Sequence, residues 1–427
     1  MFYFYGEPVY TGLLIFSAVS DYSHSAYIER YRGTGRAKIA LISSITINLA
    51  MLFFFKYADF FIESVNVLFG RDFNSLELSL PIGISFFTFQ TMSYTIDVYR
   101  GSVKASRKFL PFATYVTLFP QLVAGPIVRY ATLETQLINR HINLESLSSG
   151  IQRFIIGLSK KVLLANQLGE FTVAFRATES NSVLFTWAYA VTFTLQIYFD
   201  FSGYSDMAIG LGRLLGFEFP ENFKYPLCAK SITDFWRRWH MTLGQWFRDY
   251  VYIPLGGNRV SHLKWLRNLL IVWGLTGLWH GADWNFIIWG LYFGIILAVE
   301  KWLNISKTTS KIGHIYVIGV VVVSFVIFNS LSMDQLWLDL KTMFGLSDVP
   351  FVTSETLFQL KNYSNLILFG VLGATPLPKL TLESMQNFKG VDRIRQFTDP
   401  VGLVILLWGV TAYLVDSSFN PFLYFRF

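Results

Sequence analysis

The sequence predicts an all-α integral membrane protein, a single polytopic domain over residues 1–427. Three observations predict it. Apolar types make up 53% of the residues and charged types only 15%, whereas soluble domains carry about 25% charged residues. Mean hydropathy is +0.42, which excludes an ordinary soluble enzyme and a disordered chain. Nine stretches contain no Lys, Arg, Asp or Glu: 39–55, 78–96, 109–128, 181–199, 268–282, 284–299, 312–333, 362–378 and 400–415. Each approaches or reaches the length of about 20 apolar residues that a membrane span needs.

In chain order, 8–20 reads as a short N-terminal span and 39–55 and 78–96 as the next two. In 109–128, Pro120 and Pro126 break a helix at depth, and a broken helix at depth borders a cavity. Residues 150–176 read as an amphipathic or buried helix, and 181–199 as a span that meets Asp200. The pair 268–282 and 284–299, then 312–333, 362–378 and 400–415, complete the set. The expectation is roughly ten to twelve membrane-embedded helices, some of them short and re-entrant. There is no internal repeat, and 31 Gly and 13 Pro follow no period, which excludes solenoid and collagen-like folds. Residues 1–20 lack a signal-peptide cleavage pattern, so insertion uses the spans themselves.

Loop charge orients the spans. Arg30, Arg32, Arg36 and Lys38 share one turn. Arg100, Lys104, Arg107 and Lys108 share a second, and Lys301, Lys307 and Lys311 a third, none of the three holding an acid. These loops read as cytoplasmic. Segment 63–77, with Glu63, Arg71, Asp72 and Glu77, and the acid-rich 334–361 read as the far side. The net charge of +7 is thereby explained by topology, not by nucleic-acid binding. Cys228 is the only cysteine, so the chain holds no internal disulfide and no Cys-based metal site. The six histidines are scattered, and no metal site is indicated.

Polar groups at membrane depth are costly and mark function. His280 lies in the run NLLIVWGLTGLWHGADWNFIIWG. A neutral imidazole can act as base near pH 7 if a partner fixes its tautomer. Thr276, one helical turn earlier, is a candidate partner. The bland alternative is a core histidine bonded to a neighbouring helix. The stretch Lys230–Arg259 reads as a basic amphipathic helix at the interface, started by Ser231 and Asp234 in the manner of a capping box. Its apolar face holds Phe235, Trp236, Trp239, Leu243, Trp246 and Phe247, with His240 at the edge. Arg237, Arg238 and Arg248 fall on the other side, where they anchor the surface or meet the phosphates of a donor. The turn Leu255-Gly256-Gly257-Asn258 stops the helix.

In YFDFSGYSDMAIG, Asp200 and Asp206 flank a Ser202-Gly203-Tyr204 turn. The two carboxylates can bind a cation, relay protons or pair with Arg213, and ion pairing is favoured because unpaired buried carboxylates are costly. In LFPQLVAGPIVRY, Gln121 and Arg129 stand beside the proline break. A G-x-S-x-G elbow, an H-E-x-x-H helix and a Walker sequence are all absent.

Together FWRRWHMTLGQWFRDYVYIPLGGNR, WHG at 279–281, YFDFSGYSDMAIG and FPQLVAGPIVRY resemble the membrane-bound O-acyltransferase superfamily, within it the bacterial alginate O-acetyltransferase branch. The resemblance runs from FYFYGEP at 2–8 to NPFLYFRF at 420–427. Relatives of that branch carry another apolar helix before the first motif, which Met1 abuts here. The resemblance implies a ring of helices around a funnel thin at its centre, in a bacterial inner membrane. It implies no bound cofactor, an acyl donor (acetyl-CoA or an acyl carrier) from the cytoplasm, and a hydroxyl acceptor from the other face. His280 matches the family's catalytic histidine, and His240 a second family position that is Asn in many relatives.

The expected mechanism has His280 take the proton of the acceptor hydroxyl, with Arg237, Arg238 and Arg248 on the donor's phosphates. His240 or the indole N–H of Trp239 or Trp279 would receive the oxyanion. Thr276, Asp200, Tyr204, Asp206 and Gln121 would support the tunnel. An exported partner would carry the acetyl group to a polysaccharide, and lipid would surround the whole. The alternatives are peptidoglycan O-acetylation, D-alanyl transfer from a carrier protein, a polytopic transporter or flippase, and a scaffold for export enzymes.

Overall fold

A computed structural model describes residues 2–305, 310–386, 391–416 and 422–423, without the side chains of 385–386 and 391–394. Lys307 of the third basic loop and all but Phe422 and Leu423 of the closing motif lie outside the described residues. Every regular element among the described residues is helical. The N-terminal part comprises α1 (Phe2–Gly6), α2 (Thr11–Arg30), α3 (Gly35–Leu52), α4 (Ala58–Phe69) and α5 (Ile84–Arg100). Then come α6 (Phe109–Thr117), α7 (Phe119–Leu122) and α8 (Tyr130–Ile138). The central part holds α9 (Leu144–Ser159), α10 (Gln167–Ala177), α11 (Val183–Leu214), α12 (Ile232–Trp236) and α13 (Met241–Phe247). The chain continues through α14 (His262–His280), α15 (Trp284–Trp302), α16 (Ile312–Asn329) and α17 (Met333–Met343). It closes with α18 (Ser354–Gly373), α19 (Leu377–Gln386) and α20 (Val391–Asp416).

Several boundaries differ from expectation, each for a physical reason. The expected 39–55 span is part of a 35-residue helix from Gly35 to Phe69, because a π turn at Phe53–Tyr57 joins α3 to α4 without ending either. A second π turn, Lys160–Asn166, fuses α9 and α10. The 78–96 span starts only at Ile84, after Pro81 and a left-handed Gly83. In 109–128 the helix breaks at Leu118, where ψ is 104°; Pro120 lies in the first turn of α7, where its missing N–H is tolerated and from where it could not have continued α6.

The largest revision concerns Asp200 and Asp206. They flank no turn. Both lie within α11, 32 residues long. Gly203 is used for contact: a Cβ there would stand 2.7 Å from the Gly157 carbonyl oxygen on α9. Small residues bring two membrane helices into backbone contact.

Four described helices are long and apolar enough to cross a membrane: Gly35–Phe69, Trp284–Trp302, Ile312–Asn329 and Arg395–Asp416. The bent pair Ser354–Gly373 and Leu377–Ser384, at 66°, makes a fifth if it is one span. Other helices of similar length owe their lower hydropathy to polar residues turned inward. In α2 these are Ser17, Asp21 and Ser25, all buried. Asp21 accepts from Ser44 Oγ at 2.6 Å and Asn48 Nδ2 at 2.8 Å on α3, so a satisfied polar seam replaces lipid-like packing there. One apolar core gathers α2, α3, α5 and α6. The other gathers α11 to α17 and is rich in aromatics.

Candidate active site

The basic amphipathic helix expected over Lys230–Arg259 is not continuous. It is α12, a turn, α13 and a π turn at Arg248–Tyr252. His240 causes the break by adopting φ +44°, a left-handed conformation that a non-glycine residue keeps only when its surroundings enforce it. They do so through two backbone bonds: Lys224 N–H donates to the Arg238 carbonyl at 2.9 Å and Met241 N–H to the Asn222 carbonyl at 3.0 Å. Nor does the segment lie on the surface, since Phe235, Trp239, Leu243, Trp246 and Phe247 are all buried. Ser231 does cap α12, accepting from Asp234 N–H. The Asp234 carboxylate meets Arg238 at 3.0 Å. Gly256 and Gly257, both at positive φ, make the expected closing turn.

His280 is the last residue of α14, and Gly281 leaves the helix in an extended conformation. The final carbonyls of a helix have no partner within it. Here the first π turn supplies them. Lys56 Nζ donates to the Trp279 carbonyl at 2.7 Å and the His280 carbonyl at 3.3 Å, and Tyr57 Oη to the Leu278 carbonyl at 2.7 Å. Helices α14 and α15 touch at backbone distance: a Cβ at Gly277 would stand 2.2 Å from the Phe286 carbonyl oxygen.

The two histidine rings are brought together, 6.5 Å apart between centroids. Both are buried. The His280 ring packs against Trp279 (5.1 Å), Trp289 (5.0 Å) and Phe328 (5.5 Å). The His240 ring packs against Phe201 (4.7 Å) and Trp279 (5.8 Å).

Each histidine borders a different space. A cavity of about 490 Å³ is lined by His240, Thr276, Trp236, Trp273, Arg237 and Arg248, among others. A void of about 20 Å³, large enough for about one water molecule, is lined by His280, Asp200, Trp239, Trp289, Phe422 and Leu423, among others.

The remaining residues singled out in the sequence divide clearly. Arg237 and Arg248 line the large cavity; Arg238 is not on that wall, being turned toward Asp234. Trp239 faces the smaller void, not the large cavity. Thr276 Oγ1 spends its proton on the Val272 carbonyl at 2.7 Å. The Trp279 indole donates to the Ser85 carbonyl at 3.4 Å. Asp200 pairs with Lys161 and accepts from Leu423 N–H at 2.9 Å. Asp206 pairs with Arg153 at 2.7 Å and Lys160 at 2.6 Å. Arg213 is thus not the counterion expected for these carboxylates. Tyr204 packs on Phe422 at 5.0 Å. Gln121 is fully buried and bonded to the Tyr115 carbonyl at 2.6 Å, away from both cavities.

Outside the membrane-spanning helices, burial would raise the Asp249 carboxyl, but Arg248 and Arg129 outweigh it and hold it below the usual range. Burial pushes the Cys228 thiol up, away from thiolate chemistry. Among the described residues, no cluster of His, Cys, Asp or Glu is arranged to hold a metal ion.

Sequence reasoning missed four supporting residues. Lys56 and Tyr57 immediately follow an uncharged run, and a cation there is a signal in itself. Glu300 closes the uncharged run 284–299; fully buried, it accepts from Ile232 N–H, from Thr233 N–H at 2.9 Å and from Thr233 Oγ1 at 2.7 Å. Asn222, in a loop without periodicity, gave no signal.

Comparison with known proteins is consistent with this geometry. The chain is 37% identical over 428 residues to the probable alginate O-acetylase AlgI of Azotobacter vinelandii, covering 92% of this chain and 86% of that protein. It is 33% identical over 476 residues to the peptidoglycan O-acetyltransferase of Helicobacter pylori, covering all of this chain and 89% of that one. A more distant relative is the teichoic acid D-alanyltransferase of Bacillus subtilis, 28% identical over 58% of this chain and 68% of its own. Residues 84–331 match the model of the MBOAT family. On these matches, this chain belongs to the membrane-bound O-acyltransferase family and is an O-acyltransferase.

Proposed function

We propose that the protein moves an acetyl group from a cytoplasmic thioester, acetyl-CoA, to a hydroxyl presented from the other face of a bacterial inner membrane. The hydroxyl belongs to an exported partner or directly to an exopolysaccharide of the alginate type. The observation that carries this reading is the pair of histidines set between two spaces, with Arg237 and Arg248 on the wall of the larger. Guanidinium groups suit the phosphates of such a donor. Uncharged run lengths support roughly ten to twelve embedded helices, and the family resemblance supports their arrangement as a multi-pass ring with a funnel through its centre.

In the reaction His280 takes the proton as the acceptor oxygen attacks the thioester carbonyl. The C–O bond forms, the tetrahedral intermediate collapses, the C–S bond breaks, and the thiolate recovers the proton from the imidazolium. A general base of this kind contributes about 10²–10⁴-fold. Among the indoles, Trp289 is the best oxyanion donor: its N–H is buried without a partner among the described residues, and its ring lies 5.0 Å from His280. Trp279, considered above for this role, already bonds Ser85. The closed surroundings keep bulk water from the thioester.

The test is acetyl transfer from radiolabelled acetyl-CoA by the purified protein in nanodiscs, wild type beside His280→Ala. Loss of transfer in a variant that unfolds at the wild-type temperature supports the reading, and full activity overturns it. A second reading, acetyl transfer to peptidoglycan, is favoured by the relative from Helicobacter pylori that spans this whole chain. Supplying glycan strands and alginate-type polymers side by side separates the two. Cleavage that requires an acylated carrier protein would favour the D-alanyl type of donor.

A further inference from the structure

We propose that Asn222 is a positioning residue that locks His240 in the tautomer protonated at Nδ1, so that its Nε2 faces the site as a hydrogen-bond acceptor. Asn222 is fully buried. Its Oδ1 lies 3.2 Å from Thr242 N, 3.0 Å from Thr242 Oγ1 and 3.2 Å from His240 Nδ1. A backbone N–H can only donate, so the atom facing Thr242 N is the amide oxygen, not the amide nitrogen. An amide oxygen can only accept, so His240 Nδ1 carries a hydrogen. No carboxylate is bonded to His240 among the described residues, and an isolated buried imidazolium is costly. The ring is therefore neutral, with its lone pair on Nε2.

That atom is buried and has no partner among the described residues. The ring borders both the large cavity and the His280 ring. A bare Nε2 there cannot supply a hydrogen to an oxyanion, so the role of oxyanion donor passes away from His240. It can accept a hydrogen bond from an N–H or O–H group of the bound acyl donor, and so fix the donor's reach toward His280. The Asn222 carbonyl, bonded to Met241 N–H, holds the same turn by its backbone.

The tautomer follows from geometry alone, and its catalytic consequence rests on the acyl-transfer reading above. The first experiment needs no activity: ¹⁵N spectra of the full chain in nanodiscs, ring-labelled at its histidines, with the His240 signals identified by their loss in His240→Gln. A protonated Nδ1 and a bare Nε2 are expected. A protonated Nε2, alone or with Nδ1, overturns the proposal. In the second, Asn222→Asp keeps an oxygen for all three donors and Asn222→Leu does not. Asn222→Asp should retain the wild-type tautomer and most of kcat. Asn222→Leu should scramble the tautomer and lower kcat by about 10², with the KM of the acceptor unchanged. Equal loss in both variants with the tautomer unchanged would make Asn222 merely structural and overturn its positioning role. If wild type transfers no acetyl group from any donor tried, the spectra still decide the tautomer, so the two failures are distinct.

Discussion

His280 and His240 stand 6.5 Å apart and are held in opposite ways. His280 ends a 19-residue helix, and an amine, Lys56, closes that helix on its carbonyls. His240 stands in a left-handed kink between helices of five and seven residues, and an anion, Glu300, closes the first of these on its amide hydrogens. Each buried side chain thus supplies the hydrogen-bond partners that its helix end lacks. The difference lies in what carries each ring. A long helix fixes His280 through backbone periodicity. His240 depends on a strap of side-chain and backbone bonds from Asn222, so the two should fail differently.

Lys56→Met should have the largest effect. It removes the donor that Lys56 Nζ supplies to the Trp279 and His280 carbonyls, and a hydrogen bond lost from a buried group costs about 1–3 kcal/mol. Thermal unfolding in nanodiscs should fall clearly, and activity with it. If Lys56→Met unfolds like wild type, Lys56 is not what holds His280, and the comparison collapses on that side. Trp289→Phe should come next, with a different signature: an intact fold and kcat lowered by about 10², as for the loss of one oxyanion donor. Full kcat in Trp289→Phe would assign the oxyanion to another group. Glu300→Gln keeps an acceptor but loses its charge, so a smaller destabilisation of about 1–2 kcal/mol is expected. Its kinetic defect should track His240→Gln, not His280→Ala; the reverse would mean that the two histidines share one support.

The contrast between the two cradles also explains what was legible in the sequence. His280 stood out because it lies in an uncharged run where any polar group is conspicuous. His240 stood out only as a residue, and its setting was misread. Aromatic and cationic spacing over 230–259 has a helical period, yet the period does not reveal that Asn222 and Lys224 take the backbone bonds at 238–241. The same blindness to partners hid the continuity of α11. Ser202-Gly203-Tyr204 has turn chemistry, and only the facing Gly157 makes that glycine a contact inside a helix. Apolar run length located helices well and their ends poorly, because π turns at 53–57 and 160–166 continue a helix through residues that look like a boundary. Asn222 was silent for a related reason: its role exists only across chain separations that a local pattern does not contain.

Asp249→Asn should have the smallest effect, and it probes the wall of the donor cavity. Asp249 meets Arg129 at 2.7 Å and Arg248 at 2.6 Å, and Arg248 lines the large cavity. These groups are partly exposed, so the loss of stability should stay within about 1 kcal/mol. The carboxyl is held below its ordinary range in the folded protein. Its contribution is therefore fully present above the ordinary carboxylate pKa, and fades as pH falls through the depressed folded value. In Asp249→Asn that acid-side loss of stability should shrink, read as Tm against pH. Kinetically, neutralising Asp249 releases Arg248 from its tightest partner. If Arg248 serves the phosphates of the donor, the KM for acetyl-CoA should fall, and more so at low salt, where exposed charges are least screened. A rise in KM would mean that Asp249 holds Arg248 in the binding geometry, making the pair a preset clamp instead of a competitor.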